Sequence, residues 1–329
     1  MLIINLSQDI SSDNPYLSNT LLKTIEKNIG EKKKTILYLN KRWEFSSLIC
    51  EKCNHIYKCD QCDSSFNVHK YPEKLVCHLC GKEKDIPTKC EKCSQNSLKK
   101  VWVWTQQIEI SLKKIFKENT IFRFDTDSVK NKWEKEKALE RLKEADIIIG
   151  TKMITTGFDF RNIWLIGIIL LEQELLVPKY NTEEKVVSNI KQLIGRWWRK
   201  WETTEVLIQT FVPKNEIIQT ITSSNYKDFF LKTLEERKTF HYPPFTQMAT
   251  LEYRHKEKEK AKEFIIKLKN KLIDINSENT FEITLVPKPF KKNNQYFYKI
   301  IIKWDEIRNF IKNIKKEIFW TSQLTVTFE

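Results

Sequence analysis

All eight cysteines of this 329-residue chain fall into four Cys-x-x-Cys pairs between positions 50 and 93: Cys50/Cys53, Cys59/Cys62, Cys77/Cys80 and Cys90/Cys93. A thiolate pair at this spacing grips one ion from a tight turn, and two pairs complete a tetrahedral zinc site with four sulfur ligands. A disulfide framework belongs to exported chains, and the opening MLIINLSQD has no basic stretch and soon turns polar, unlike a secretory signal. Thioredoxin-like redox chemistry uses one such pair, not four. The pattern therefore predicts two structural zinc ions. Five residues separate Cys53 from Cys59, which is cramped for wrapping one ion, whereas fourteen separate Cys62 from Cys77. That favours a nested pairing, with Cys50, Cys53, Cys90 and Cys93 on one ion and Cys59, Cys62, Cys77 and Cys80 on the other. His55, His69 and His78 lie close by, but eight thiolates already fill two ions, so the histidines are expected to be polar surface residues. Closed sites of this kind do no chemistry themselves; they shape a surface.

Around the insert, short apolar runs alternate with charged helical stretches. Strands are expected at 34–40, 101–104, 120–125, 145–150, 163–171 and 206–210, with helices around 18–28, 130–143 and 183–194. Such alternation argues for a parallel α/β sheet. Two helical stretches follow and must break at Tyr242-Pro243-Pro244-Phe245. The remainder reads strand (248–254), helix (256–272), strand (281–286), strand (296–303), helix (305–318) and strand (323–328), a split βαββαβ order typical of a ferredoxin-like α+β module. Lys+Arg 57 against Asp+Glu 43 leaves a net charge of +14, which favours a polyanionic partner, nucleic acid ahead of a membrane surface. A Lys-rich composition bias accounts for the same charge equally well. The longest apolar run, 163–171, is too short to span a bilayer, so a cytoplasmic chain is expected.

Three further groups of residues carry chemistry. Gly150-Thr151-Lys152-Met153 follows the strand at 145–150, and a Gly-Thr at a strand's carboxyl end can present amides and a hydroxyl to a phosphate. Gly157-Phe158-Asp159-Phe160 stands just beyond it. Gln192-Leu193-Ile194-Gly195-Arg196-Trp197-Trp198-Arg199 closes the helix at 183–194, where arginines can reach a γ-phosphate held by another lobe.

Taken in order, these elements resemble the C-terminal portion of the primosomal replication-restart helicase family (primosomal protein N′, superfamily 2). The resemblance rests on Asn40-Lys41-Arg42, the full cysteine set including Cys77-His78-Leu79-Cys80-Gly81, Arg123-Phe124-Asp125-Thr126-Asp127, Gly150 to Met153, Gln192 to Arg199 and Tyr242 to Phe245. It covers nearly the whole chain. It implies a second RecA-like helicase lobe over 1–49 and 94–211, a zinc-binding insert at 50–93, a helical linker over 212–245, and a ferredoxin-like C-terminal domain over 246–329. It implies two Zn2+ in the nested pairing. It also assigns Gln192, Arg196 and Arg199 to an arginine-finger motif, and Gly150, Thr151, Gly157, Asp159 and Gly195 to nucleotide and DNA coupling. The family is an ATP-dependent 3′–5′ DNA helicase of replication restart and primosome assembly. Its expected partners are forked or single-stranded DNA, replication-restart proteins and single-strand-binding protein, with no membrane.

Departures matter as much. A nucleotide-hydrolysing motor needs a Gly-Lys-Ser/Thr phosphate loop and an acidic Mg2+ motif, and the only Gly-Lys here is Gly81-Lys82, followed by Glu83. ATP and Mg2+ therefore belong to the complete helicase, and this chain alone is expected to be inactive without a first lobe in cis or in trans. The alternative is a stand-alone zinc module that binds nucleic acid or a replication partner without catalysis. Glu172-Gln173 replace the family's Asp-Ala-Asp. Asn181 replaces an arginine and Gln106 a glutamate, while Lys152, Thr156 and Phe158 replace glutamine, lysine and histidine.

The chain also carries 10 Trp against 6 Gly. Read literally, Arg196-Trp197-Trp198-Arg199-Lys200-Trp201 is a basic stretch with aromatics on which single-strand bases can stack. Trp43, Trp102, Trp104, Trp133 and Trp198, however, fall where the resembled family has glycine. Some bacterial lineages read UGA as glycine and others as tryptophan, so the second reading is that most or all ten are glycines decoded with the wrong table.

Overall fold

The computed structural model describes residues 1–12, 14–39, 47–61, 65–70, 73–77, 81–101, 105–124, 138, 140–151, 154, 162–176, 179–198, 204–223, 226–278, 280–292, 294–314 and 321–329. The first part of the chain runs β1 (Leu2–Asn5), α1 (Asn19–Gly30) and β2 (Lys34–Tyr38), then the cysteine-rich strands β3 (Ser47–Cys50), β4 (Phe66–Lys70), β5 (Glu73–Cys77), β6 (Glu83–Asp85) and β7 (Leu98–Val101). It returns through α2 (Thr105–Ile115), β8 (Ile121–Phe124), β9 (Ile147–Gly150), β10 (Ile163–Ile169), a 3-10 turn (Leu171–Leu176), α3 (Thr182–Trp198) and β11 (Glu205–Thr210).

Runs such as Ile147-Ile148-Ile149 and the strand Ile163–Ile169 are apolar on both faces, which suits parallel strands covered by helices on each side. They form a six-stranded sheet in the order β1-β11-β10-β2-β9-β8, every adjacent pair parallel. One large apolar core spans both faces of this sheet. Helix α1 starts at the Ser18 cap, whose hydroxyl accepts from Leu21 N at 3.0 Å, and it turns Leu21 and Ile25 into that core. Close packing there depends on Gly167 in β10: a Cβ at this position would sit 2.6 Å from Leu37 Cδ2 and 3.0 Å from Leu21 Cδ1.

Two differences from the sequence-based expectation stand out. The run expected as a sheet strand at 101–104 is described only to Val101, and there it pairs antiparallel with β3, not with the parallel sheet. It is the closing strand of the ribbon at the base of the cysteine-rich region. Conversely, Leu2–Asn5 supplies an edge strand on β11 that the alternation pattern does not announce. Of the helix expected at 130–143, residues 140–144 are helical, and 130–137 and 139 lie outside the described residues.

Beyond β11 come α4 (Glu216–Thr222) and α5 (Tyr226–Thr239), then β12 (Met248–His255), α6 (Lys258–Ile275), β13 (Glu282–Lys292), β14 (Gln295–Lys303), α7 (Ile307–Ile314) and β15 (Leu324–Phe328). The last six elements follow the β-α-β-β-α-β order expected from the sequence and make an antiparallel sheet in the order β13-β14-β12-β15. Helix α6 covers it with Ala261, Ile265, Leu268 and Leu272, all fully buried at helical spacing, in a second core separate from the first. Tyr242, Met248, Val286 and Ile301 form a small apolar joint between the two parts, with Tyr180 stacked on Tyr242 at 4.8 Å. No described helix is long and apolar enough to cross a membrane.

Because Leu21 and Leu37 are both fully buried, neither can swing aside cheaply. Gly167→Val is expected to destabilise the chain by about 1–3 kcal/mol through overpacking, read as a lower urea midpoint. An unchanged midpoint would show that the β10 surface tolerates a side chain.

Candidate functional site

The cysteine-rich region builds its site from repeated turns. Cys50 N donates to His55 O at 2.9 Å and Asn54 N to Cys50 O at 2.8 Å. Cys90 N donates to Gln95 O at 3.0 Å and Ser94 N to Cys90 O at 2.7 Å. Cys77 repeats the pattern, with its N bonded to Lys82 O at 2.9 Å and Gly81 N to Cys77 O at 2.8 Å. The fourth residue after each of these three cysteines has a positive φ: Asn54 at 61°, Gly81 at 81° and Ser94 at 59°. This left-handed residue reverses the chain within one turn and directs the turn's amides at the leading sulfur. Burial pushes the Cys90 thiol up, but the N–H groups of Cys93 and Lys92 and the thiols of Cys53 and Cys50 outweigh it and hold Cys90 at about 7. Burial pushes Cys53 up to about 12, reinforced by the thiols of Cys93, Cys90 and Cys50 against the opposing His55 amide. One of the four sulfurs is thus ready to be a thiolate at neutral pH.

The Sγ atoms of Cys50, Cys53, Cys90 and Cys93 lie within 4.8 Å of one another. Cys50 to Cys93 is 3.7 Å and Cys53 to Cys90 is 3.6 Å. A tetrahedral zinc thiolate with Zn–S of about 2.3 Å has sulfur–sulfur edges of about 3.8 Å. The donor set and its dimensions fit one Zn2+, whose contribution is to hold the two turns together. Of the other set, Cys59 and Cys77 are buried in one small cluster with Tyr57, Phe66 and Leu75, while Cys62 and Cys80 lie outside the described residues. His55 stands edge-on to Tyr57 at 4.8 Å, and both it and His69 on β4 are partly exposed at the surface. His78 lies outside the described residues. The turn residues are a signal that spacing alone overlooks, because Gly and Asn four places after a leading cysteine suit the left-handed region, though Ser94 adopts it without that preference.

Several contacts fasten this region to the carboxyl edge of the parallel sheet. Asn54 Oδ1 accepts from Lys214 N at 3.1 Å, and the buried Ser65 hydroxyl donates to Leu175 O at 2.8 Å. Lys58 pairs with Glu183 at 2.7 Å, on the first turn of α3. Lys99 bridges Glu51 at 3.0 Å and sits 3.8 Å over the Phe211 ring.

That edge is where open α/β sheets bind ligands. Strand β9 ends there at Gly150, whose carbonyl accepts from Leu39 N at 3.0 Å, and a Cβ on Gly150 would fall 1.7 Å from Ile154 Cδ1. Thr151 follows, buried. Gln192 is exposed on α3 and Gly195 half-buried one turn later. The side chain of Arg196, and Arg199, Gly157 and Asp159 altogether, lie outside the described residues. The same edge carries a pair of carboxylates that the sequence marks only as a departure. Glu172 and Glu174 are 0% and 2% exposed just after β10. Glu172 accepts from Phe211 N at 2.9 Å, and burial raises its carboxyl above the ordinary range despite that bond and nearby Lys99. Burial and the Glu174 carboxylate push the Tyr38 phenol up as well.

Two outcomes follow from these contacts. Cys53→Ser is expected to lower bound zinc by one equivalent in atomic absorption. It should also raise amide exchange over 50–56 and 211–217 while leaving β12 and β14 protected; unchanged zinc would remove Cys53 from the ligand set. Glu172 is the second case. A carboxyl with a raised folded pKa stabilises while protonated, and that stability is lost as pH climbs from the unfolded value near ~4.3 through the raised folded one. Glu172→Gln keeps an acceptor for Phe211 N without ionising. The variant should therefore gain on the native chain in urea melts as pH rises from 4 to 8, and a constant difference would contradict the assignment.

A family sequence model described as the PriA DNA helicase Cys-rich region (CRR) domain matches residues 59–84. The chain is 28% identical over 327 residues to replication restart protein PriA of Bacillus subtilis, covering 96% of this chain and 41% of that protein. It is 29% identical to the protein of that name from Borreliella burgdorferi, covering 99% of this chain and 50% of the relative. The Rickettsia felis PriA is 30% identical over 98% of this chain and 50% of its own length. Among solved structures, a de novo designed protein, Foldit4, matches 26% of the chain at a TM-score of 0.21 and 17% identity, too slight a likeness to carry weight. The chain spans about half the length of the curated relatives it matches. With a PriA-type cysteine-rich region inside a match that runs almost from end to end, the chain belongs to the PriA replication-restart family and corresponds to its C-terminal portion.

Proposed function

We propose that this chain supplies the second RecA-like lobe, the zinc region and the C-terminal domain of an ATP-dependent 3′–5′ DNA helicase that restarts replication at stalled forks. The observation that carries the reading is the end-to-end match to half of each PriA relative. The fold supports it. A parallel sheet with Gly150-Thr151 at the carboxyl end of an interior strand offers amides and a hydroxyl where a phosphate or a DNA backbone can reach them. Helix α3 carries Gln192, Gly195 and Arg196, and Arg199 follows in the sequence, the order of an arginine-finger motif. The β13-β14-β12-β15 order after β11 supports a ferredoxin-like C-terminal domain.

In this reading the residues act as positioners and charge stabilisers. Arg196 and Arg199 approach a γ-phosphate bound by the first lobe and neutralise the charge that grows on it during transfer. The zinc ions, two in the nested pairing, hold the cysteine-rich region as a rigid projection beside the DNA path. Its ligands are Cys50, Cys53, Cys90 and Cys93 for one and Cys59, Cys62, Cys77 and Cys80 for the other. The positive net charge of +14 draws in forked or single-stranded DNA, a term that weakens steeply with salt. Replication-restart proteins and single-strand-binding protein are the macromolecular partners this role brings, in the cytoplasm.

The test is reconstitution. Purified alone, the chain should hydrolyse no ATP. Mixed with the portion of the Bacillus subtilis relative that it does not match, it should show ATP hydrolysis stimulated by forked DNA. Arg199→Ala should lower that rate by about a thousandfold. Hydrolysis by the isolated chain would overturn the division of labour.

A further inference from the structure

An apolar seam runs along α5 and is left uncovered by the rest of the described chain. Tyr226, Phe230 and Leu234 follow one another at i, i+4 and i+8, one stripe of the helix about 12 Å long. Tyr226 is 37% exposed, Phe230 45% and the neighbouring Leu231 50%. The seam continues through a groove of about 300 Å³ lined by Pro243 and Pro244, and the next residue along the chain, Phe245, is 44% exposed. No other stretch of this length among the described residues exposes four large apolar side chains. A concentration of this kind marks a docking surface.

Its neighbours indicate what docks. Helix α5 lies antiparallel beside α3: Arg237 near its end reaches Glu184 at 2.5 Å, and Tyr226 at its start lies 4.8 Å under Lys191 Nζ. Glu184, Ser188, Lys191 and Gly195 share one stripe of α3 at helical spacing, so the seam borders the strip of α3 that runs to Gly195, the residue that opens the arginine motif in the sequence. Alongside, Arg237 pairs with Glu184 and donates to Pro243 O at 2.8 Å. A partner therefore meets an apolar strip edged by charged side chains already engaged within this chain. The relatives carry about as much chain again as this one spans, and that chain has to pack beside the arginine motif for the two lobes to share a nucleotide.

We infer that the α5 seam, with Phe245 at its end, is the face on which the unmatched portion of the PriA chain docks beside α3. The inference rests on the two-lobe reading above and names the surface that holds the lobes together.

The experiment uses the full chain and the unmatched portion of the Bacillus subtilis relative, with association measured by calorimetry and ATP hydrolysis measured separately. Phe230→Ser with Leu231→Ser is expected to weaken association by about tenfold or more, with zinc content and circular dichroism unchanged, and Phe245→Ser should weaken it in the same direction. Equal association of the variants and the native chain overturns the seam while leaving the two-lobe reading standing. Association that the variants lose but that yields no ATP hydrolysis upholds the seam and sinks the reading. Absence of association by the native chain overturns the seam, as does a native dimer in light scattering that the variants render monomeric, because the occupant is then a second copy.

Discussion

Four sulfurs held at the edge lengths of a tetrahedron are the constraint on which the cysteine-rich region depends. Its own apolar cluster is small, gathered around Leu48, Tyr57, Phe66, Val68 and Leu75. Such a cluster cannot offset the entropy of ordering the region from Ser47 to Val101, at about 1–2 kcal/mol per residue. Apparent metal affinities of about 10–16 kcal/mol for structural zinc in small peptides show how large the missing term is. The turns prepare for it. Cys50 and Cys90 accept amides from their own loops, and the described loops reverse at Asn54, Gly81 and Ser94. Metal binding therefore has little backbone left to organise, and the entropy is spent in folding the turn.

The same geometry explains how a peripheral region is tied to the carboxyl edge of the parallel sheet. Asn54 is both the left-handed residue of a knuckle and the acceptor for Lys214 N, where the chain enters α4. Taken singly the connecting contacts are modest. The half-exposed Lys58–Glu183 pair contributes about 0.2–1 kcal/mol, the Ser65 bond about 0.5–1.5 kcal/mol, and the Lys99–Phe211 contact about 0.5–2 kcal/mol. Together they fix the zinc region to β11, to the turn after β10 and to the first turn of α3. With three points of attachment the region keeps one orientation against the sheet, which a single tether could not impose.

How much of this was legible in the sequence depends on how local the cause is. Cysteine spacing carries the ligand set directly, since a Cys-x-x-Cys turn makes the same bonds wherever it occurs. The apolar runs of β2, β9 and β10 announce buried parallel strands, and Ala261, Ile265, Leu268 and Leu272 announce α6. What stayed hidden is set by tertiary partners. The segment ending at Val101 has strand character, but whether it joins the sheet or the ribbon with β3 depends on the knuckles that bring Cys50 and Cys93 together. Leu2–Asn5 is an edge strand only because β11 offers it a free side. Glu172 looks like an ordinary surface acid until β10 and β11 close over it. Arg199, Gly157 and Asp159 were legible as motif residues, and they lie outside the described residues.

The scarcity of glycine can be judged by what the described glycines do. Gly150 and Gly167 both stand where a Cβ would collide with neighbouring side chains, and Gly81 holds a positive φ in a knuckle. These are demands only glycine meets cheaply. A fold of this size with six such residues among 329 is short of them, which is the force of reading several tryptophans as glycine. The two tryptophans with described side chains divide that reading. Trp304 is half-buried and packs against the second core, 5.7 Å from Phe281 and 5.4 Å from Phe310, which also touch each other at 4.6 Å, so a glycine there would strip one ring from a three-ring cluster. Trp164 donates from its indole nitrogen to Asn162 at 2.7 Å and lies under Lys33, at a register shift of β10 where a glycine would serve as well. Position 304 thus favours a true tryptophan on packing grounds, while position 164 does not discriminate. The case for glycine then rests on Trp43, Trp102, Trp104, Trp133 and Trp198, so a mixed population explains the composition better than a wholesale exchange.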